Sequence, residues 1–140
     1  MTLEQQIQRL TDEAELRNAE ARLAQFSDEA DPEVYADCYT EDGVWDGGKE
    51  FGVHKGRAEI LASILQRRST GSSGPGTHKR HVIINSLIEL DGDRAVVRSY
   101  LMFYADCDKA PRAVTGGIYT DRFRRTPKGW KVEYRTIERA

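Results

Sequence analysis

The sequence predicts an α+β fold in which a curved antiparallel or mixed β-sheet wraps around helices from the first part of the chain. Two observations predict this fold. Apolar residues recur with a period of about 3.6 in the first half of the chain, and with a period of two after residue 80. Helices followed by a run of consecutive strands are the order expected of α+β proteins. We predict one domain over residues 1–140, a length typical of single domains.

The spacing of apolar residues in the first half of the chain predicts three helices. We expect the first to end near Phe26, because Ser27-Asp28 and Asp31-Pro32 are typical stop-and-restart sequences. Its apolar stripe consists of Leu3, Ile7, Leu10, Ala14, Leu16, Leu23 and Phe26. A second helix is predicted over residues 32–41, with proline at its favoured first position, and a third over residues 57–68. Residues 43–46 predict a short strand, and residues 52–56 a loop.

The second half of the chain predicts a four-stranded meander. A polar, glycine-rich loop at residues 69–77 precedes it. Strands are predicted over residues 81–90, 94–104, 113–124 and 130–137, with tight turns at residues 91–92 and 126–129. Gly116-Gly117 lies inside the third of these strands, where glycines often indicate a bulge.

The composition excludes several functional classes. Hydrophobic residues make up 39% and charged residues 31%, as in soluble globular proteins, and the formal charge of −2 predicts no affinity for nucleic acid or membrane surfaces. The charged N-terminal segment does not resemble a signal peptide. Cys38 and Cys107 are far apart, which favours free thiols in a reducing compartment. We therefore expect a cytoplasmic protein.

His81 and Asp28 are the candidates for catalytic chemistry. Strand alternation places His81, Ile83, Asn85 and Leu87 on one covered face, where His81 and Asn85 need hydrogen-bond partners. His81 could be a core histidine and Asp28 a helix cap, which are the common roles of such residues. If they touch, the carboxylate would fix the imidazole tautomer, and the second ring nitrogen could accept a proton from a substrate.

Other candidate sites are weaker. His54 and His78 are predicted in solvated loops, and the three histidines lack the paired spacing of a metal site. No nucleotide-binding or nucleophile motif occurs. We therefore expect neither a metal nor another cofactor. The stripe formed by Leu3, Ile7 and Leu10 is predicted to lie in the core or in a subunit contact.

Five segments of the chain form a recognisable series. In chain order they are TEDGVWDG (40–47), KGRAEIL (55–61), RHVIIN (80–85), LDGDRAVVRSY (90–100) and GGIYTDRFRRTPKGWKV (116–132). Together they resemble the SnoaL-like family of the NTF2-like superfamily, in particular the branch that contains hexachlorocyclohexane dehydrochlorinase and, more distantly, scytalone dehydratase. The resemblance implies a cone-shaped sheet closed by the N-terminal helices, around a largely apolar pocket without a cofactor.

The resemblance also implies residue roles. Asp28 stands where the dehydrochlorinase-like proteins have an aspartate that orients the catalytic base, and His81 stands where they have that base. Leu23 replaces a lysine of the dehydrochlorinase, and Thr136 replaces an arginine, with Arg135 expected to face the other way. Hydrogen bonds to the substrate would then come from tyrosines, as in related dehydratases. The predicted substrate-binding residues are Asn85, Trp45, Tyr100, Tyr119 and Tyr134.

Two functional hypotheses follow. The first is a cofactor-independent lyase or isomerase that acts on a mainly apolar small molecule, aromatic and polycyclic compounds included. Elimination, retro-aldol cleavage and double-bond migration would all begin with proton abstraction by His81. The second is a non-catalytic ligand-binding module, or a structural subunit resembling the β subunit of aromatic-ring dioxygenases. Both faces of the strand at residues 94–104 are apolar, which predicts a homo-oligomer, either a dimer or a trimer.

Overall fold

In the computed structural model, which describes residues 1–140, four helices pack against one curved, six-stranded mixed sheet. The helices are α1 (Leu3–Glu29), α2 (Pro32–Ala36), α3 (Gly48–Phe51) and α4 (Arg57–Ser69). The strands are β1 (Tyr39–Asp46), β2 (Val53–Lys55), β3 (Arg80–Asp91), β4 (Arg94–Ala105), β5 (Arg112–Thr126) and β6 (Gly129–Arg139). Their order in the sheet is β2-β1-β6-β5-β4-β3. Only β1 and β6 pair in parallel. The predicted α+β fold is confirmed.

The helical half differs from the prediction at its boundaries. Thr2 caps α1 through a reciprocal pair of hydrogen bonds with Gln5, and α1 continues three residues beyond Phe26. The carbonyls of Phe26 and Ser27 accept hydrogen bonds from the Arg68 guanidinium, which stabilises this last turn. Helix α2 ends at Ala36 instead of residue 41, because the following residues pair with β6 as strand β1.

Two short elements were not predicted. Helix α3 has four residues, and strand β2 has three residues that pair with β1 inside the segment expected to be a loop. Elements of this length show no periodicity in a sequence.

The hydrophobic core begins in the middle of α1. Leu3, Ile7 and Leu10 are exposed on its first turns, so they are not core residues. The alternative, a subunit contact, stays a prediction. The core contains residues from α1, α2, α4 and the concave side of the sheet. Its largest members are the aromatic residues Tyr35, Tyr39, Trp45, Phe123 and Trp130.

A β-bulge at Asn85 divides β3 into two parts. Asn85 has a φ of +56°, and the pairing of β3 with β4 shifts register between Ile84 and Leu87. An extra residue reverses the faces that the following side chains occupy. Asn85 and Leu87 are therefore exposed, and Ser86 faces inward, where its hydroxyl lies 2.8 Å from the Ser99 hydroxyl. The prediction that Asn85 and Leu87 share the covered face of His81 is wrong for this reason.

The bulge expected at Gly116-Gly117 lies instead at Val114, two residues earlier in β5. Both glycines pair regularly with β4, and Val114 is the residue without a partner in that ladder. Gly117 allows close packing, because a Cβ atom there would lie 3.0 Å from the carbonyl oxygen of Glu138 on β6.

Candidate active site

A cavity of about 220 Å³ lies between the helices and the concave side of the sheet. Every helix and every strand except β2 contributes residues to its wall or to its rim. Its apolar wall includes Leu23, Ile83, Leu101, Phe103 and Ile137. For comparison, an apolar cavity of about 150 Å³ binds benzene. The enclosed space therefore fits a single substituted ring or a molecule of similar size.

Asp28 and His81 are hydrogen-bonded to each other, and His81 lines the cavity. Asp28 Oδ1 lies 2.6 Å from His81 Nδ1, and Asp28 Oδ2 accepts a bond of 3.0 Å from the His81 backbone N–H. The side chain of Asp28 is 3% exposed and that of His81 is 18% exposed. The Phe103 ring packs against the imidazole at a centroid distance of 4.5 Å.

This geometry defines which nitrogen of His81 is free. A buried carboxylate that accepts a bond from the backbone N–H of His81 also favours a proton on Nδ1. Nε2 then carries a lone pair and makes no hydrogen bond within the protein, while His81 lines the cavity. The arrangement can accept a proton from a molecule in the cavity and stabilise the resulting imidazolium.

A buried arginine also lines this cavity. Arg135 Nε and Nη2 donate bonds of 2.6 and 2.8 Å to the two carboxylate oxygens of Asp121, and Nη2 lies 3.4 Å from Glu20 Oε2. Its guanidinium carbon lies 3.7 Å from the centroid of the Tyr119 ring. The expectation that Arg135 faces away from the pocket is wrong.

The reason is a bulge in β6 at Glu133, which has no partner in β5 between Val132 and Tyr134. Strict alternation from Trp130 would turn Tyr134 and Thr136 inward. The extra residue instead turns Arg135 and Ile137 inward.

Glu20 completes this buried cluster. It is 2% exposed, and its Oε1 has no hydrogen-bond partner. Burial, followed by the negative charge of Asp121, raises the pKa of Glu20 well above its ordinary value. Protonation of Glu20 would leave the negative charge of Asp121 balanced by the positive charge of Arg135.

The structure brings some of the predicted substrate-binding residues to the cavity and not others. Trp45 and Tyr119 line it, and burial raises the pKa of Tyr119. Asn85 is exposed at its bulge, and Tyr100 lies on the outer face of β4 beside Arg98. Tyr134 faces outward and its hydroxyl donates a 2.5 Å bond to Asp46.

The remaining polar candidates lie outside the cavity wall. His54 is in β2, with its ring 5.5 Å from that of Trp45, and burial followed by the charge of Arg67 lowers its pKa. His78 is exposed, 3.9 Å from Asp108. No three His, Cys, Asp or Glu side chains are arranged to hold a metal ion. No helix has the length and apolar character needed to cross a membrane.

Arg67 lines the cavity, although the sequence analysis does not predict a role for it. It occupies the last turn of α4, a position at which basic residues are common for helix-dipole reasons, so its sequence context gives no functional signal.

A curved mixed sheet wrapped around helices, with an enclosed cavity beneath it, defines the class of NTF2-like proteins. A sequence profile of SnoaL-like domains matches residues 8–136, and the chain belongs to the SnoaL-like family. No curated protein sequence matches the chain significantly.

Several solved structures share this fold. An NTF2-like protein with a cystatin-like fold from Novosphingobium aromaticivorans is 26% identical, with a TM-score of 0.84 over 96% of this chain and 86% of that one. A protein of unknown function from Nostoc punctiforme is 25% identical, with a TM-score of 0.80 over 93% and 92% of the two chains. A Catenulispora acidiphila protein in complex with S-DNPA is 20% identical, with a TM-score of 0.76 over 90% and 91%.

Proposed function

We propose that this protein is a cofactor-independent lyase or isomerase in which His81 removes a proton from a small, mainly apolar substrate. The observation that carries the proposal is the 2.6 Å contact of Asp28 with His81, which itself lines a largely apolar cavity. Packing alone does not explain a buried carboxylate beside an imidazole, because apolar residues would fill the same position at a lower desolvation cost.

The proposed first step is the same for several reactions. Nε2 of His81 accepts a proton from carbon or from a hydroxyl group, and Asp28 balances the charge of the imidazolium. The electron pair of the broken bond then forms a new double bond. A leaving group departs in elimination, a carbon–carbon bond breaks in retro-aldol cleavage, and a proton returns at another carbon in isomerisation.

Two further residues of the wall fit this chemistry. Arg135 keeps Nη1 without a partner in the protein, and a guanidinium can donate to an oxygen or halide that gains negative charge. Trp45 would pack against the substrate ring. The cavity volume favours a single-ring substrate over a polycyclic one. We place the protein in the cytoplasm, because Cys38 and Cys107 are both free thiols.

Proton exchange tests the shared first step without knowledge of the natural reaction. In D₂O, a panel of enolisable aryl ketones such as 1-indanone and phenylacetone would be incubated with the protein, and deuterium at the carbon next to the carbonyl would be followed by NMR. His81→Ala should lower the exchange rate by about 10²–10⁴-fold, the usual contribution of general base catalysis. Asp28→Asn should also lower it, because an amide cannot balance the imidazolium.

The matched control is His78→Ala, which removes an exposed histidine outside the cavity and should exchange like the wild type. Exchange that survives in His81→Ala would reject His81 as the base. Ligand binding without exchange in the wild type would favour the non-catalytic binding module instead.

A further inference from the structure

Arg67 differs from the other cationic side chains of the cavity because it has no carboxylate partner. Arg135 is paired with Asp121, Arg139 with Glu50, and His81 with Asp28. Arg67 makes no ion pair in the structure, and its one hydrogen bond is the 3.0 Å bond from Nη1 to the Ser63 hydroxyl. A half-buried guanidinium therefore lines the cavity with its charge unbalanced.

The surroundings of Arg67 hold its guanidinium in one orientation. Ser63 lies one helical turn earlier on α4 and is buried, so Nη1 is directed back along the helix. The guanidinium carbon lies 5.9 Å from the centroid of the Trp45 ring, at the edge of cation–π distance. Nε and Nη2 make no hydrogen bond within the protein. These two donors form one side of the guanidinium fork, and this is the geometry that a carboxylate accepts with both oxygens.

We infer that Arg67 is a specificity-determining residue that binds a carboxylate group of the substrate. The natural ligand is thus a molecule with an apolar body of about one ring and one carboxylate. This inference rests on the proposed function, because it assigns a substrate class to the cavity that contains His81.

The charge and size of the site favour a carboxylate over a phosphate. A phosphate carries up to two charges and is usually bound by several cations or by backbone N–H groups at a helix N-terminus. Here one cation is unpaired, and it lies at the C-terminal end of α4. Glu138, the remaining carboxylate at the cavity rim, is exposed, and strand alternation directs its side chain to the opposite face of β6 from Ile137 and Arg139.

Equilibrium binding tests this inference separately from turnover. The probes are benzoate, phenylacetate and 3-phenylpropanoate, each compared with its neutral amide by isothermal titration calorimetry. The amides keep the shape of the acids and remove the charge. In the wild type, at least one carboxylate should bind with a Kd about tenfold or more below that of its amide, as expected for a charge-assisted hydrogen-bonded pair.

Substitutions of Arg67 should remove this preference in steps. Arg67→Gln should bind acid and amide equally. Arg67→Lys should keep part of the preference, because it keeps the charge and loses the fork. Arg9→Gln is the matched control: it makes the same change at an exposed arginine of α1 and should behave as the wild type.

The outcomes separate the two proposals. Three results would overturn the role of Arg67, even if proton exchange depends on His81. They are equal affinity for acid and amide in the wild type, absence of binding by every probe, and a preference that survives in Arg67→Gln. The protein could also prefer carboxylates through Arg67 and yet catalyse no proton exchange. That result would support the role of Arg67 and reject the proposed chemistry.

Discussion

Glu20 lies buried beside the like-charged Asp121, and burial is the main cause of its raised pKa. Its raised pKa means that the folded protein binds a proton that the unfolded chain releases at lower pH. The stabilising effect of that proton is fully present below the ordinary pKa of glutamate. It is lost as the pH rises from there through the folded pKa.

Glu20→Gln should remove this part of the pH dependence. A glutamine amide keeps the shape of the protonated acid and can donate to Asp121 at every pH. We expect the variant to match the wild type most closely near pH 4. Above the ordinary pKa of glutamate, its free energy of unfolding should exceed that of the wild type by up to about 1.4 kcal/mol for each pH unit up to the folded pKa, so the difference should be clear at pH 8.5. Urea unfolding at the two values measures this. Glu15→Gln, at an exposed position of α1, is the control, and a Glu20→Gln variant with the wild-type pH dependence would contradict the assignment.

Among structural elements, the bulge of β3 depends on one backbone conformation. Asparagine adopts a φ of +56° more readily than most residues, whereas a β-branched residue there is strained. Asn85→Val should therefore lower the free energy of unfolding by about 1–3 kcal/mol, and Asn85→Gly should be close to neutral. Chemical denaturation measures both changes.

A control separates strain from surface effects. Glu89→Val places the same side chain at an exposed position of β3 with ordinary extended backbone, and should change stability by less than about 0.5 kcal/mol. Equal stability of Asn85→Val and wild type would show that the bulge does not depend on this residue.

Bulges also explain why the sequence predicts where the strands lie but not which way every side chain faces. The four long strands were predicted within a few residues, because alternation and the turn at Asp91-Gly92 are local signals. The extra residues at Asn85, Val114 and Glu133 depend on how two strands pair, so a single-strand pattern does not reveal them. They account for the misplaced Asn85, Tyr134 and Arg135.

The candidate site shows the same limit. Asp28 and His81 are 53 positions apart, so no local signal indicates their contact. Only the family resemblance, together with the hydrogen-bonding needs of a covered histidine, predicts it. Arg67 and Glu20 follow no motif, and only the folded structure reveals their surroundings.

At the scale of the whole molecule, the outer face of the sheet carries an apolar patch. Val82, Ile84 and Tyr100 are each more than a third exposed, and Met102 and Ile118 lie beside them in the strand register. Contiguous apolar surface of this kind commonly indicates a protein interface. We expect a homodimer formed through this face, with a trimer as the alternative assembly.

Charged substitutions in the patch test this expectation. Ile84→Lys together with Tyr100→Glu should shift the mass measured by light scattering at micromolar concentration from that of a dimer to that of a monomer. Leu65→Lys, on the exposed side of α4, should leave the mass unchanged. A wild-type protein with a monomeric mass under the same conditions would contradict the prediction.

The place of β6 between β1 and β5 has a consequence for the order of folding. Strand β1 has no partner on that side until β6 is available, and Tyr134 of β6 bonds to Asp46, 88 residues earlier in the chain. Such long-range pairing gives a high contact order, which slows folding. During synthesis β1 and β2 would leave the ribosome well before β6, with one edge of β1 open to wrong partners. The cavity would close last, when β6 joins both halves of the sheet and brings Arg135 to Asp121.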